Sequence, residues 1–236
     1  MKKHVKVILS ATLLLWGAAS LWAGDVAVFR NLGFSPDSRY FQFAQYGIDG
    51  TTQTPWVQVD TVDVLRNLFT PSGMSKSEYS VPATLGDDGL KALMAHLDSI
   101  SSQRKGLKLD FLQQGRPIYF RVNGEATVTD YDNFSVLDYK SGRTTTVSLK
   151  KNVSTLGNTV SSSFFINLEI KDKAGKVVGT YKVGHPDVVR KGVQNYTVVQ
   201  MILTPNERAL VLVIEREESD GKGGINLRNM VETLTF

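Results

Sequence analysis

The sequence predicts a mainly β fold: antiparallel sheets in a sandwich-like arrangement, with one inserted amphipathic helix. Three observations carry this. From Gly115 onward apolar residues alternate over short runs, each bounded by Gly, Asn or Asp. Two segments near opposite ends of the chain repeat one turn-into-strand pattern. Only the stretch from about 85 to 105 places apolar residues at helical spacing. Runs of short hairpins favour antiparallel pairing over parallel crossovers.

In chain order, the first element is Met1 to Ala23. Lys2, Lys3 and Lys6 precede an apolar run from Val7 that closes on Ser20-Leu21-Trp22-Ala23 before Gly24. This is the pattern of a signal peptide cut after Ala23, and it predicts a periplasmic or secreted protein. The run from Val7 to Ala23 is 17 residues, at the lower edge of what spans a bilayer, so an uncleaved anchor is the alternative. A lipid anchor at the cleavage point needs a cysteine, and the chain has none. After cleavage no integral membrane span is expected.

Cleavage removes three of the 27 basic residues and none of the 23 acidic ones, so the net charge falls from +4 to +1. The basic balance therefore belongs largely to the signal, and no nucleic-acid partner is implied. Zero cysteines excludes a disulfide framework, a thiolate nucleophile and any sulfur-based metal site. Stability must come from packing, and residues 24–236 suffice for one core. A single mainly-β domain is expected, since no linker-like tract interrupts it.

Phe34-Ser35-Pro36-Asp37-Ser38-Arg39-Tyr40-Phe41-Gln42-Phe43 aligns without gaps on Leu203-Thr204-Pro205-Asn206-Glu207-Arg208-Ala209-Leu210-Val211-Leu212. Proline presets φ in the turn, Asp or Asn bonds the local backbone, and the following alternation is strand period. Each copy leads to a glycine-containing loop, Gly47-Ile48-Asp49-Gly50 or Asp220-Gly221-Lys222-Gly223-Gly224, and then to a second strand, so both are expected hairpins. These units resemble the short repeat of TolB-type and other propeller proteins, in which a Ser-Pro-Asp-Gly turn precedes a strand. The usual glycine is replaced by Ser38 and Glu207. Between the copies only Pro186 is followed by an aspartate, in His185-Pro186-Asp187-Val188, without the rest of the pattern. A packed pair of antiparallel sheets is therefore preferred to a propeller.

The helix is placed at about Leu85 to Lys105, with Leu90, Leu93, Met94, Leu97 and Ile100 on one face packed on the chain's own sheet. Thr84 with Asp87 reads as a capping box, and Arg104-Lys105-Gly106 as the stop. His96 is expected at the surface or at its boundary with the core. Further on, Ile118 to Val122 reads as a strand ending at Asn123-Gly124. Phe164 to Ile170 and Val177 to Val183 read as a hairpin around Lys171-Asp172-Lys173-Ala174-Gly175.

The chemistry is sparse, and the sequence nominates no catalytic, cofactor-binding or metal-ligating residue. Beyond the signal, only His96 and His185 remain, and no Gly-x-Ser-x-Gly elbow nominates a serine. Asp130, Asp132 and Asp138 form the best carboxylate cluster. A calcium loop there lacks its glycine and glutamate, which are Ser135 and Ser141. The Gly221–Gly224 stretch lacks the Lys-Ser/Thr of a phosphate loop. Tyr46, Trp56, Tyr131 and Tyr196 are candidates to stack on sugars or anchor a partner if exposed.

Gly24-Asp25-Val26-Ala27, Asn31-Leu32-Gly33-Phe34-Ser35-Pro36-Asp37, Tyr46-Gly47, Gly223-Gly224-Ile225-Asn226 and Val231-Glu232-Thr233-Leu234 together resemble a family of predicted secreted bacterial proteins of unknown function, of spirochaete type. The resemblance implies an address and no activity. The expected role is a non-catalytic envelope protein with a protein partner. The alternative is a glycan-binding or glycan-cleaving protein that uses Asp130 and Asp132.

Overall fold

The computed structural model describes residues 24–122, 130–157 and 159–236. The segment 1–23, expected to be a signal peptide, and Asn123-Gly124, expected to end a strand, lie outside the described residues. The fold is mainly β, antiparallel and sandwich-like, as expected, but the described residues form three sheets where a packed pair was anticipated.

Strands β1 (Val28–Phe34), β2 (Tyr40–Ile48), β3 (Pro55–Asp63) and β4 (Leu68–Glu78) form an N-terminal meander. Helices α1 (Leu90–Ser99) and α2 (Ser101–Gly106) follow. Strand β5 (Arg116–Phe120) then joins a central sheet completed by β11 (Val193–Leu203), β12 (Ala209–Ser219) and β13 (Ile225–Thr235), in the order β13-β12-β11-β5. The distal sheet holds β6 (Asn133–Asp138), β7 (Arg143–Leu156) and β8 (Thr159–Lys171). Strands β9 (Val177–Val183) and β10 (Arg190–Lys191) pair with opposite ends of β8.

The extra layer has its cause in β12. Ala209-Leu210-Val211-Leu212-Val213-Ile214 is apolar without alternation, so both faces of that strand must be covered. Leu210, Leu212 and Ile214 pack with Val147, Phe164, Ile166 and Leu168 of the distal sheet. Ala209, Val211 and Val213 pack with Phe34, Phe41, Phe43 and Val62 of the N-terminal sheet. A smaller core on the far face of the N-terminal sheet sets Leu93 and Leu97 of α1 against Leu32, Ala44, Tyr46, Val57 and Val59.

The helix differs from expectation at both its start and its face. Thr84 and Asp87 form a turn, with Asp87 N–H donating to Thr84 O at 3.0 Å, and no capping box. Helix α1 begins after Gly89, whose φ is 86° and where a Cβ would lie 2.9 Å from Gly47 O. The chain thus stays left-handed there to approach β2. Leu93 and Leu97 are buried, but Leu90 and Met94 are exposed, and His96 takes the inward place. The surface assignment of His96 is corrected: it is 3% exposed, its Nδ1 lies 3.0 Å from Ser77 Oγ, and burial lowers its pKa.

The two aligned segments form matching turns. Ser35 Oγ donates to Asp37 Oδ1 at 2.6 Å, and Thr204 Oγ1 to Asn206 Oδ1 at 2.8 Å. Ser38 N–H donates to Ser35 O and Glu207 N–H to Thr204 O, both at 2.8 Å. Ser38 and Glu207 have φ of 60° and 54°, the left-handed conformation that glycine serves best. At the same end, Arg116 ties two sheets together. Its guanidinium reaches the Asp138 carboxylate at 2.6 and 3.1 Å and Glu207 Oε1 at 3.0 Å.

The outer edge of β13 is closed by the first sheet. Leu227 N–H donates to Asp25 O, Asn229 N–H to Gln45 Oε1 and Thr233 N–H to Asn67 Oδ1. Edge groups that would otherwise template aggregation are thereby used to seat one sheet on another.

Candidate functional site

Opposite the matching turns lie the two glycine loops, near enough for the Lys222 charge to act on Asp49. In the β2–β3 loop, Asp49 accepts from Thr51 N–H at 2.8 Å and from Thr52 N–H at 2.7 Å, which holds its pKa down. In the β12–β13 loop, Asp220 accepts from Lys222 N–H at 2.7 Å and Gly224 N–H at 2.8 Å. Both are Asx-stabilised hairpin tips. Between the sheets that they terminate lies a cleft of about 570 Å³.

One wall is the inner face of β3 and β4, with Trp56, Gln58, Lys76 and Glu78. The other carries Arg216, Glu218 and Arg228, with Asp25 beside them. Trp56 Nε1 donates to Asp25 Oδ2 at 2.7 Å, and Arg228 meets Asp25 Oδ1 at 2.6 Å. The Arg228 guanidinium also covers the indole, 4.4 Å from its centroid. Arg216 pairs with Glu218 at 2.8 Å and Lys76 with Glu78 at 2.7 Å. Opposite charges therefore sit side by side on both walls. Arg216 Nε is buried without a hydrogen bond among the described residues.

Near Arg216 sits Asp60, 2% exposed, accepting from Gln58 Nε2 at 3.0 and 2.8 Å. Burial pushes its pKa up to about 6, against the opposing pull of Gln58 and Arg216. Burial also lowers the pKa of Arg216. Neither histidine lines the cleft: His96 is on the buried face of α1 and His185 in a turn after β9. The lining provides charge and hydrogen bonds at fixed positions, which suits recognition.

The structure separates the three aspartates read from the sequence. Asp130 accepts from Asp132 N–H, Asn133 N–H and Asn133 Nδ2 and so caps its own turn. Asp132 pairs with Lys151 at 2.7 Å. Asp138 is gripped by Arg116 and Ser141, and the Arg116 guanidinium above all holds it well below the usual carboxylate range. None of the three lines the cleft. Among the described residues no cluster of His, Asp or Glu is arranged to hold a metal ion.

The candidate aromatics are also mostly internal. Tyr46 is 5%, Trp56 6% and Tyr196 0% exposed. Tyr196 packs on Phe164 and accepts from Ser162 Oγ, while Arg121 covers Tyr131 at 4.5 Å. Only Trp56 among them belongs to the cleft.

The deciding comparison covers most of this architecture. A family model described as a predicted secreted protein matches residues 42–235, from within β2 to the end of β13. The chain belongs to that family, DUF2259. The DUF2259 match spans every cleft residue named above except Asp25, and it agrees with the export expected from the N-terminal segment. Among the described residues no helix is long and apolar enough to cross a membrane. No curated protein and no solved structure matches the chain.

The sequence missed Asp25, Arg216 and Arg228 as site residues. A signal was present for Arg216 and Arg228, which sit on the strands either side of the second aligned hairpin tip, but none for Asp25, which precedes β1.

Proposed function

We propose that this member of DUF2259 is a non-catalytic binding protein of the cell envelope, exported by residues 1–23, with residues 24–236 acting as one domain. Its cleft between the aligned hairpins takes a charged polypeptide segment of a partner protein. The observation that carries this reading is the pairing of cations with anions along both walls, Lys76 with Glu78 and Arg216 with Glu218. Such walls offer a peptide both signs of charge at fixed spacing. Trp56 speaks for the same reading over a sugar site, because Arg228 already covers its ring. By analogy with TolB-type repeats, paired turn-and-hairpin units present a surface to a protein, although fold analogy alone assigns no partner.

The test is a crosslinked pull-down from the native envelope with the chain from Gly24 onward, run beside a Thr52→Tyr variant. Thr52 is exposed on the loop at the cleft mouth, so the larger side chain plugs the cleft without touching the core. A protein captured by the parent chain and lost with the variant is the expected result. Equal capture by both, or recovery of glycan alone, would overturn the reading.

A further inference from the structure

The outer edge of the N-terminal sheet is β4, and its C-terminal half is open. Tyr79 N–H donates to Pro55 O at 2.9 Å, and the register sets Ser77 against Val57 and Lys76 against Gln58. Inward and outward backbone groups alternate in an antiparallel ladder. The N–H and C=O groups of Lys76 and Glu78 therefore point away from β3. Among the described residues no strand pairs with them. Lys76, Glu78 and Ser80 are exposed, and Met74 is 60% exposed. The contrast with β13, whose outer edge is closed by Asp25, Gln45 and Asn67, is direct. An open edge of this length is a template for one more strand.

The order of charges along the edge selects the occupant. We propose that β4 pairs with β4 of a second copy, antiparallel, about a two-fold axis through Ser77. Outward groups must meet outward groups, so the permitted registers differ by steps of two residues. With Ser77 facing the partner's Ser77, Lys76 lies opposite the partner's Glu78, and Glu78 opposite the partner's Lys76. Met74 then faces the partner's Ser80. One step either way sets Lys76 against the partner's Lys76, or Glu78 against the partner's Glu78, and like charges directly opposite are unfavourable. A single register is thus self-complementary, as an isologous interface requires. Within one chain, Lys76 and Glu78 already sit 2.7 Å apart, with 57% and 68% of their side chains exposed, so both remain free to share the partner's charges.

The axis stands perpendicular to the sheet, so the two meanders merge into one sheet of eight strands whose inner faces, which carry Lys76 and Glu78, lie on the same side. The dimer draws on Lys76 and Glu78, which also line the cleft, so it is read without added peptide and its failure leaves the cleft reading standing. The dimer would make any peptide binding bivalent.

The test is sedimentation equilibrium on the chain from Gly24 onward, from micromolar to millimolar concentration at low salt. The unchanged chain is expected to dimerise. Lys76→Glu and Glu78→Lys, each alone, should weaken the dimer at least about tenfold, since each turns two attractive pairs into repulsive ones. A mixture of the two variants, one edge wholly acidic and the other wholly basic, should form the heterodimer. Lys76→Pro, which removes an outward N–H, should be monomeric while keeping the thermal transition of the parent. A parent chain that stays monomeric to millimolar concentration, or charge reversals that leave the dimer equally tight, would overturn the proposal.

Discussion

Asp60→Asn tests how the interface between the first two sheets holds its charge. The carboxyl is 2% exposed, and its pKa rises from 3.8 to about 6 through burial. A group whose acid form is favoured by folding binds its proton more tightly in the native state than in the unfolded chain. Native stability therefore falls as pH rises from about 4 to about 6 and is level above that. The full separation is worth about 3 kcal/mol, and about 2 kcal/mol of it lies between roughly pH 4.5 and 7.5. Asparagine has no such titration, and Gln58 can turn its amide to face it. Glu215 and Glu232, also raised by burial, contribute the same slope to both proteins and cancel in the comparison. Urea unfolding at the two pH values is the assay. Relative to the parent, the variant should gain about 2 kcal/mol on going from the lower to the higher pH. A difference between the two proteins that is the same at both pH values would refute the reasoning.

Ser38→Gly should stabilise the fold by about 1 kcal/mol, because Ser38 has φ of 60° and a buried hydroxyl without a partner. Glu207→Gly relieves the same conformation but loses Arg116 and Lys140, so thermal melts should show a smaller gain or none. Asp138→Asn should cost about 2 kcal/mol near neutral pH through its charged bonds to Arg116. Since Asp138 titrates below its ordinary range, that loss should shrink as acid protonates the parent's carboxylate, which urea titrations at falling pH will show. Arg228→Ala takes from the Asp25 carboxylate its only cation among the described residues, leaving it the Trp56 N–H, and uncovers Trp56, the one tryptophan after Trp22. Stability should drop by about 3 kcal/mol, and tryptophan emission of the chain from Gly24 onward should shift to the red. Unchanged emission would count against the described stacking.

Much of the fold was legible because its signals are local. The turns at Ser35 and Thr204, the loop at Asp172 and the helical stripe through Leu93 and Leu97 depend on residues a few positions apart. The third sheet is written in the unbroken apolar run Ala209–Ile214, whose every second residue also fits a one-faced strand, so alternation alone does not show that both faces are covered. His96 shows the opposite case. A polar residue on an apolar stripe is placed by its partner, Ser77, which no helical period reveals. The cleft was the least legible part. Asp25 and Arg228 are 203 residues apart in the chain, and ion pairs over such separations exist only once the sheets have stacked.

The double burial of β12 has a consequence for export. A chain that crosses a membrane unfolded and N-terminus first delivers β1 to β4 long before Ala209–Val213, the wall on which Phe34, Phe41 and Phe43 come to rest. The distal sheet must likewise wait for Leu210, Leu212 and Ile214. Two sets of apolar side chains are thus left in water until the last part of the chain emerges, and during that interval they are open to aggregation. Truncation near the C-terminus would make the interval permanent, so a shortened product should be recovered as aggregate or degraded, with neither outer sheet able to stand alone.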